Sequence, residues 1–333
     1  MAACNIAVVG ATGAVGKEML KILADKGYPV SCISLFSSER SAGSKLEYKG
    51  EKITVKKLQK DSFYNIDYAL FSAGSDVSKD YAPAAVASGT VVIDNSSAFR
   101  MNEEIPLVVP EINGELINNE QGIIANPNCS TIQLVLALKP IHDLFGLQRV
   151  SVVTYQAVSG SGRRAIKELE KQIKDYEQGR ELKAEHYPYP IAFNVLPEIG
   201  PYEENGYTEE EMKIIRESKK ILSLPELKVN STAARVPVFI GHCEAVNIEL
   251  KNDFTLHEIE NALNSSPGVK ILDKELPIPQ MCDDCDDVMV GRIRKDISRE
   301  KALNLWLTAN NLRKGAALNA VQILEELDNG GGK

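Results

Sequence analysis

The stretch that most restricts the fold lies near the start of the chain, where an apolar run leads into a glycine-rich turn. In VVGATGAVGKEML, Gly10, Gly13 and Gly16 follow a predicted strand and open a predicted helix. Glycines let a backbone approach a pyrophosphate closely, and the free N–H groups at a helix start bind its charge. This context predicts dinucleotide binding. A glycine-rich turn without a ligand is the alternative interpretation.

Strand and helix patterns alternate through the first third of the chain. Between the first two apolar runs, Val15, Met19, Ile22 and Leu23 recur at helical spacing. A doubly wound, Rossmann-type parallel sheet with right-handed connections is therefore expected. The apolar runs are typical of buried parallel strands, and they read NIAVVG, VSCISLF, DYALFSA, TVVIDNSS, LVVP and GIIAN.

The pattern changes after the predicted helix that begins at Cys129, where longer strands alternate polar and apolar residues. These strands are LQRVSVVTYQAVSG, ELKVNSTAARVPVFIG, HCEAVNIEL and LNLWLTANN, and helices are predicted at about 163–180, 208–222 and 256–264. An α+β domain with a largely antiparallel sheet is expected. The helix in RKGAALNAVQILEELDN is predicted to pack back on the first domain. We therefore expect a nucleotide-binding domain at 1–127 and 312–333, and an inserted domain at 128–311. The terminal NGGGK is expected to be disordered.

The composition restricts the partners and the location. The 333 residues carry a net charge of −8 without a basic stripe, so no nucleic-acid partner is expected. No apolar run approaches the roughly 20 residues that a membrane helix needs, and the N-terminus has no signal-peptide pattern. Six cysteines are too few for a disulfide scaffold in a chain of this length. A reduced, cytoplasmic enzyme without a membrane contact is expected.

The end of the second predicted strand indicates which nicotinamide cofactor is bound. NAD sites usually place Asp or Glu there, whereas LFSSERSAG offers hydroxyls and the fixed cation of Arg40. Arg40 with Ser41 suits a 2′-phosphate, which favours NADP. Glu39 is discordant with this interpretation, and Arg40 as an ordinary surface residue is the alternative.

A cysteine stands at the start of the helix that follows GIIAN. The positive end of the helix dipole is expected to lower the pKa of Cys129 and to favour the nucleophilic thiolate. Asn128 and the hydroxyls after Cys129 are small polar groups that suit a site. A thiolate beside a nicotinamide attacks an aldehyde or an activated acyl group, and hydride transfer links the thiohemiacetal and thioester states.

The other cysteines are interpreted as structural. Cys4 and Cys32 lie in apolar strands and are expected in the core, and Cys243 lies within a strand. Cys282 and Cys285 form a CxxC pair in QMCDDCDDV, for which metal binding, redox chemistry and a solvated acidic loop are all open. The solvated loop is the preferred interpretation, and no metal site is predicted.

Seven motifs together resemble the aspartate-semialdehyde dehydrogenase family nearly end to end. They are GATGAVG, DNSSAFRM, NPNCST, TYQAVSGSGRRA, ARVPVFIGHCEAV, VGRIR and NNLRKGAA. The resemblance implies reductive dephosphorylation of L-aspartyl 4-phosphate to L-aspartate 4-semialdehyde by NADPH, through a cysteine thioester. Release of inorganic phosphate and a place in lysine, threonine, methionine and diaminopimelate biosynthesis are implied with it. It also implies a catalytic domain that forms at least a homodimer.

The resemblance also implies a role for each matching position. Cys129 is the nucleophile, His242 the general acid/base, and Gln156 orients the intermediate. Arg235 and Glu210 bind the carboxylate and amino group of the substrate, while Arg100 and Lys213 bind phosphate, with Asn128 lining the site. The implied cofactor contacts are Gly10, Thr12, Gly13, Ala14, Val15, Arg40, Ser41, Ser159, Gly160 and Asn311.

Taken by themselves, several of these residues have plainer interpretations. His242, between apolar strand residues, suits a structural imidazole, and Lys213 suits a charged helix surface. A buried arginine such as Arg235 needs an anion, so a surface role is the weaker interpretation there. An N-acetyl-glutamyl-phosphate reductase and a catalytically silent NADP-binding relative are the alternative functions.

Overall fold

The computed structural model describes residues 3–118, 122–283 and 285–330, so the last three residues of NGGGK lie outside the described residues. The chain forms two compact units, one of residues 1–128 and 316–333 and the other of residues 129–315. No helix among the described residues is both long and apolar enough to cross a membrane.

Eight α-helices and fourteen strands are present in the described part of the chain. The helices are α1 Ala14–Asp25, α2 Ser75–Ala87, α3 Pro110–Asn113, α4 Cys129–Phe145, α5 Arg163–Glu177, α6 Glu209–Ile221, α7 Leu256–Asn264 and α8 Leu318–Asp328. The strands are β1 Cys4–Val9, β2 Val30–Ser37, β3 Lys45–Tyr48, β4 Glu51–Thr54, β5 Lys56–Lys57, β6 Tyr68–Phe71, β7 Val91–Asp94, β8 Ile123–Ala125, β9 Leu147–Gln156, β10 Lys228–Arg235, β11 His242–Leu250, β12 Val269–Ile271, β13 Val288–Lys295 and β14 Ala302–Ala309.

The first unit contains the predicted Rossmann-type sheet. Six parallel strands stand in the order β5-β2-β1-β6-β7-β8. Successive strands are added on one side of β1 as far as β5 and on its other side from β6 onward, so the strand order reverses between β1 and β6. Both faces of the sheet are covered, because Ile6 and Val8 of β1 belong to one apolar cluster while Ala7 and Val9 belong to another. Ligands in such folds bind at the carboxyl ends of the strands, beside this reversal.

Three details of the first unit differ from the sequence prediction. The strand predicted at LVVP is wrong, since only Leu107 pairs there, in an isolated bridge with Ala125. The short antiparallel hairpin of β3 and β4 was not predicted. The core position predicted for Cys32 is also wrong, because this thiol is exposed. A short apolar run predicts burial poorly at an end of a strand, where no neighbour covers the side chain.

The second unit contains a mixed, mostly antiparallel sheet. Its order is β10-β9-β11-β14-β13-β12, in which β11 is antiparallel to both neighbours and β10 is parallel to β9. Side chains alternate along β11, so His242 and Glu244 share one face, and both are fully buried. Tyr155 and Trp306 stack at 5.5 Å between ring centroids.

Helix α6 is fixed against β10 by one carboxylate. Glu211 accepts a hydrogen bond from the Thr208 N–H at 2.7 Å, which closes a capping box at the helix start. Its second oxygen accepts from the Ala233 N–H at 2.9 Å. Because this anchor precedes Lys213 by only two residues, it fixes the first turn of α6 relative to the sheet.

Candidate active site

In the first unit, a cavity of about 410 Å³ lies at the carboxyl ends of β1 and β2. Gly10 has a φ of 82°, and a Cβ there would lie 2.7 Å from the Ser72 carbonyl oxygen. A Cβ at Gly16 would lie 2.5 Å from the Gly10 carbonyl oxygen, so both positions require glycine. Gly10, Thr12 and Gly13 line the cavity, and Ala14 and Val15 begin α1 beside it. This arrangement fits a pyrophosphate at the helix start.

The rim of this cavity carries hydroxyls and a cation. Ser37, Ser38 and Glu39 line it, and the Thr12 and Ser37 hydroxyls lie 3.0 Å apart. Lys57 also lines it, with its Nζ 3.1 Å from a carboxylate oxygen of Glu39. Sequence reasoning missed Lys57, because a lysine pair after a short apolar run is typical of any surface strand.

Arg40 and Ser41 occupy a short 3-10 turn that follows β2. Arg40 is exposed and Ser41 is half-buried, and the cavity lining among the described residues includes neither of them. The turn nevertheless follows directly after Ser38 and Glu39, which do line the cavity. An exposed arginine on a three-residue turn is able to reach a ligand that extends beyond the rim.

In the second unit, the thiol of Cys129 stands on the first residue of α4. The N–H groups of the first turn give this end of the helix a partial positive charge. A Cβ at Gly315 would lie 2.9 Å from the Cβ of Cys129, so glycine leaves room for the thiol side chain. Gly315 was not singled out from the sequence, although it stands within the NNLRKGAA motif.

His242, the first residue of β11, is fully buried. Its Nδ1 accepts a hydrogen bond from the Ala157 N–H at 3.0 Å, which places the proton of the neutral ring on Nε2. Nε2 has no hydrogen-bond partner among the described residues. Burial, followed by the charge of Arg235, lowers the pKa of His242 well below its usual value. The imidazole is therefore neutral at pH 7 and presents an N–H donor.

Arg235 ends β10 and is only 4% exposed. Its Nη1 donates to the Ala157 carbonyl oxygen at 2.8 Å, and its Nε has no partner among the described residues. A buried guanidinium with an unsatisfied N–H favours binding of an anion. Arg235 and His242 converge on one turn, since a Cβ at Gly160 would lie 2.8 Å from Nη1 and 3.0 Å from Nε2.

A chain of polar contacts joins the end of β9 to α6. The side-chain amide of Gln156 donates to Glu210 at 3.1 Å and to the Thr154 hydroxyl at 3.2 Å. The Nζ of Lys213 lies 3.8 Å from the second carboxylate oxygen of Glu210 and 3.0 Å from Glu209. Gln156, predicted to orient the intermediate, is therefore a neighbour of Glu210 and Lys213, which are predicted to bind the substrate.

Asn311 organises the turn beside His242. Its amide nitrogen donates to the Ser159 hydroxyl at 2.9 Å, and its amide oxygen accepts from the Gly241 N–H at 3.0 Å. Ser159 and Gly160 lie in the short turn Val158–Ser161. Asn311 thus binds Ser159 directly, and Gly160 follows Ser159 in the same turn.

Arg100 and Asn128 lie in the first unit. Arg100 donates from Nε to the Asn126 carbonyl oxygen and from Nη2 to that of Asn95, each at 2.9 Å. The amide of Asn319 donates to the side-chain oxygen of Asn126 at 2.7 Å. Arg100 is therefore a buried cation with a fixed orientation, and Asn128 immediately precedes Cys129 in the chain.

The CxxC segment differs from its preferred interpretation at Cys282. Cys282 is fully buried, so the preferred interpretation as a solvated loop does not apply to its thiol, whose pKa burial raises to about 12. The position of Asp284 between the two cysteines lies outside the described residues. Among the residues that are described, no group of three or more His, Cys, Asp or Glu could hold a metal ion.

Comparisons with known proteins agree along nearly the whole chain. Residues 5–120 match the family description "Semialdehyde dehydrogenase, NAD binding domain", and residues 138–314 match "Semialdehyde dehydrogenase, dimerisation domain". An aspartate-semialdehyde dehydrogenase of Aquifex aeolicus is 50% identical over 97% of each chain. The structure of aspartate semialdehyde dehydrogenase II from Vibrio cholerae, complexed with ASA, has a TM-score of 0.95 at 43% identity over 97% of each chain.

A more distant structure carries a nicotinamide cofactor. The aspartate semialdehyde dehydrogenase of Candida albicans with NADP has a TM-score of 0.77 at 25% identity, covering 97% of this chain and 98% of its own. The family descriptions and the extent of the identity confirm the resemblance that the seven motifs indicate. The chain therefore belongs to the aspartate-semialdehyde dehydrogenase family, whose members are nicotinamide-dependent oxidoreductases.

Proposed function

We propose that the protein converts L-aspartyl 4-phosphate into L-aspartate 4-semialdehyde, with Cys129 as the nucleophile and NADPH as the reductant. The observation that carries this proposal is the convergence of Arg235 and His242 on Gly160, each with a buried nitrogen that lacks a partner among the described residues. An arginine of this kind suits a carboxylate, and an uncharged imidazole N–H suits a developing oxyanion. The names of the relatives point to the same substrate.

The first half-reaction transfers the acyl group to sulfur. The Cys129 thiolate attacks the acyl carbon of the substrate, and the bond from that carbon to the phosphate oxygen breaks. Inorganic phosphate leaves with the electron pair, and a thioester remains on Cys129. Arg100 and Lys213 are assigned to the phosphate, because a cation near the leaving oxygen stabilises its charge.

The second half-reaction reduces the thioester. The nicotinamide, when bound, supplies the hydride that reaches the acyl carbon. The resulting thiohemiacetal oxyanion collapses, the carbon–sulfur bond breaks, and the aldehyde leaves while the thiolate is restored. This half-reaction balances without a proton, whereas the phosphate released in the first half-reaction takes up one proton from the solvent.

His242 is assigned to the oxygen of both tetrahedral species. Its Nδ1 accepts from the Ala157 amide, so the neutral ring offers Nε2–H to that oxygen. The lowered pKa keeps the ring uncharged near pH 7, and it acts first as a hydrogen-bond donor. Acid catalysis, in which the proton moves to the oxygen, remains part of the same assignment.

The remaining substrate contacts follow from charge. Arg235 is assigned to the α-carboxylate and Glu210 to the ammonium group of the substrate. Gln156 donates to Glu210, so it fixes the direction of that carboxylate and is assigned to orienting the intermediate. Asn128 is assigned to the wall of the site beside Cys129.

NADP is proposed as the cofactor in preference to NAD. The glycine-rich turn with Thr12, Ala14 and Val15 is assigned to the pyrophosphate, and Ser159, Gly160 and Asn311 to the nicotinamide end. The cation of Lys57 on the cavity rim favours a 2′-phosphate, and Arg40 and Ser41 in the adjacent turn are assigned to the same group. The relative from Candida albicans with NADP supports this choice.

A match to a dimerisation domain over residues 138–314 supports a homo-oligomer, and we propose at least a dimer. The cytoplasmic location stays a prediction.

An N-acetyl-glutamyl-phosphate reductase is disfavoured because Glu210 and Arg235 suit a free amino acid.

The reverse reaction tests the proposal. L-Aspartate semialdehyde, inorganic phosphate and NADP are mixed with the protein, and the absorbance of the reduced cofactor is followed. Phosphate-dependent reduction that disappears in Cys129→Ala is expected, with Cys32→Ala as the matched control, since Cys32 is an exposed thiol in the other unit. Activity that survives in Cys129→Ala contradicts the thioester mechanism, and equal rates with NAD contradict the cofactor assignment.

A further inference from the structure

Behind His242 on the same strand lies an acidic residue that the proposed chemistry does not use. Glu244 is two residues further along β11, so its side chain projects from the same face of the sheet as that of His242. It is fully buried, and neither carboxyl oxygen has a hydrogen-bond partner among the described residues. The residues that pair with it across the sheet, Thr154 and Leu307, carry no charge.

The helix that carries the thiol places an amide against this carboxyl group. Gln133 lies one turn after Cys129 on α4, on the same side of the helix, and is 1% exposed. Neither atom of its amide has a hydrogen-bond partner among the described residues. Helix α4 packs against β11, the strand that carries Glu244, and the Gln133 amide lowers the pKa of the carboxyl group in part.

A protonated Glu244 explains why a carboxyl group is buried beside the Gln133 amide. A carboxylate only accepts hydrogen bonds, and burying one without strong donors is costly. Burial raises the pKa of Glu244 well above its usual value, although the Gln133 amide lowers it in part. The protonated carboxyl group has one donor and one acceptor, as the amide does. The two groups are therefore able to exchange two hydrogen bonds, which satisfies four buried atoms at once.

We propose that Glu244 and Gln133 form a mutual hydrogen-bonded pair that fixes α4 against β11 and so positions Cys129 relative to His242. This inference rests on the proposed function of Cys129 as the nucleophile and of His242 as the donor to the substrate oxygen. Neither member of the pair is assigned to substrate or cofactor, so both are positioning residues.

Apolar packing alone does not fix the position of α4 along β11. Strand β11 is held on both sides by backbone hydrogen bonds to β9 and β14. Helix α4 meets the unit mainly through buried apolar side chains such as Ile132 and Leu136. Apolar contact is non-directional, so it permits small shifts of the helix along the strand. A pair of directed hydrogen bonds one turn from the thiol removes that freedom, and small misplacements of reacting groups slow catalysis strongly.

Four variants of the full chain test the pair: Gln133→Leu, Glu244→Leu, the double variant of both, and Glu244→Gln. Each single leucine variant leaves one buried polar group without its partner, so lower stability and lower kcat are expected together. In the double variant both polar groups are gone, and the melting temperature is expected to return toward that of the wild type. Its kcat is nevertheless expected to stay at least about tenfold below that of the wild type, while its KM for the semialdehyde stays within about threefold of the wild-type value.

Glu244→Gln and a second buried pair supply the controls. Glu244→Gln keeps a donor and an acceptor, so kcat within about threefold of the wild type is expected. Gln172 donates to Glu168 at 3.0 Å within α5, and both are buried, so Gln172→Leu disturbs a buried Gln–Glu pair elsewhere in the unit. The variant also removes hydrogen bonds between Gln172 and the backbone of Lys183 and Ala192. It is expected to lower the melting temperature without a comparable loss of kcat.

Two outcomes separate this inference from the function on which it rests. A double leucine variant with the kcat of the wild type overturns the pair as a positioning device, and so does a kcat that only follows stability across all variants. Inactive wild-type protein, or activity that survives Cys129→Ala, removes the proposed function itself.

Discussion

Replacing Glu244 by Gln is expected to make the second unit more stable toward high pH. In the folded wild type, burial raises the pKa of this carboxyl group above the ordinary 4.5 that it regains on unfolding. Between these two pKa values the folded state keeps a proton that the unfolded state has released. Stability from this group is therefore complete below the unfolded pKa and is lost as the pH rises toward the folded pKa. Gln carries no such proton and shows no such loss.

The size of the effect follows from linkage. One group that is protonated only in the folded state removes up to about 1.4 kcal/mol of stability per pH unit. For a unit of residues 129–315, 1 kcal/mol corresponds to a shift in melting temperature of about 2–4 °C. The melting temperature of Glu244→Gln minus that of the wild type is therefore expected to grow by roughly 3–5 °C per pH unit between pH 5 and the folded pKa.

The fluorescence of Trp306 reports this unit by itself. It is the only tryptophan of the chain, its indole N–H donates to the Pro277 carbonyl oxygen at 3.1 Å, and it lies on β14. His242, whose lowered pKa gives its own pH dependence, is present in both proteins and cancels in the difference. A difference in melting temperature that stays constant from pH 5 to pH 8 refutes the protonated, buried carboxyl group.

Three further substitutions test the geometry. Gly160→Ala is expected to lower kcat/KM about 10–100-fold in the reverse assay, because its Cβ would stand 3.0 Å from Nε2 of His242. Gly315→Ala is expected to slow alkylation of Cys129 by iodoacetamide and to lower kcat similarly, since its Cβ would stand 2.9 Å from that of the thiol residue; unchanged alkylation speaks against this contact. Lys57→Ala is expected to raise KM for NADP about tenfold and to leave KM for NAD unchanged, because only NADP carries the 2′-phosphate; equal changes for both cofactors contradict the assignment.

The parts of the fold that the sequence predicts well are those in which one residue pattern determines local structure. The parallel strands of the first unit appear as apolar runs because both faces of that sheet are buried. Gly10 and Gly16 are required by backbone contacts within a few residues of each other, so their spacing is visible in the sequence. The start of α4 at Cys129 is visible for the same reason, since a polar turn directly precedes a long apolar helix.

Contacts between distant segments are where the prediction fails. Lys57 of β5 meets Glu39 in the turn that follows β2, and a lysine in KITVKK has no feature that distinguishes it from surface charge. The strand predicted at LVVP fails because pairing depends on the available edge of the sheet, which apolar content does not reveal. The tautomer of His242 depends on an N–H of Ala157, which is 85 residues away in the chain.

The burial of Glu244 is another feature that depends on a contact between distant segments. Along HCEAVNIEL, a glutamate between two small residues suggests the solvent-facing side of an amphipathic strand, yet Glu244 is fully buried and the adjacent Ala245 is not. The contradiction disappears once α4 is in place, because Gln133 supplies a polar partner at that depth of the core. A buried acid of this kind lowers stability relative to an apolar residue of similar shape. Its position on the same face of β11 as His242, opposite a glutamine one helical turn from Cys129, therefore suits a requirement for directed contacts beside the reacting groups.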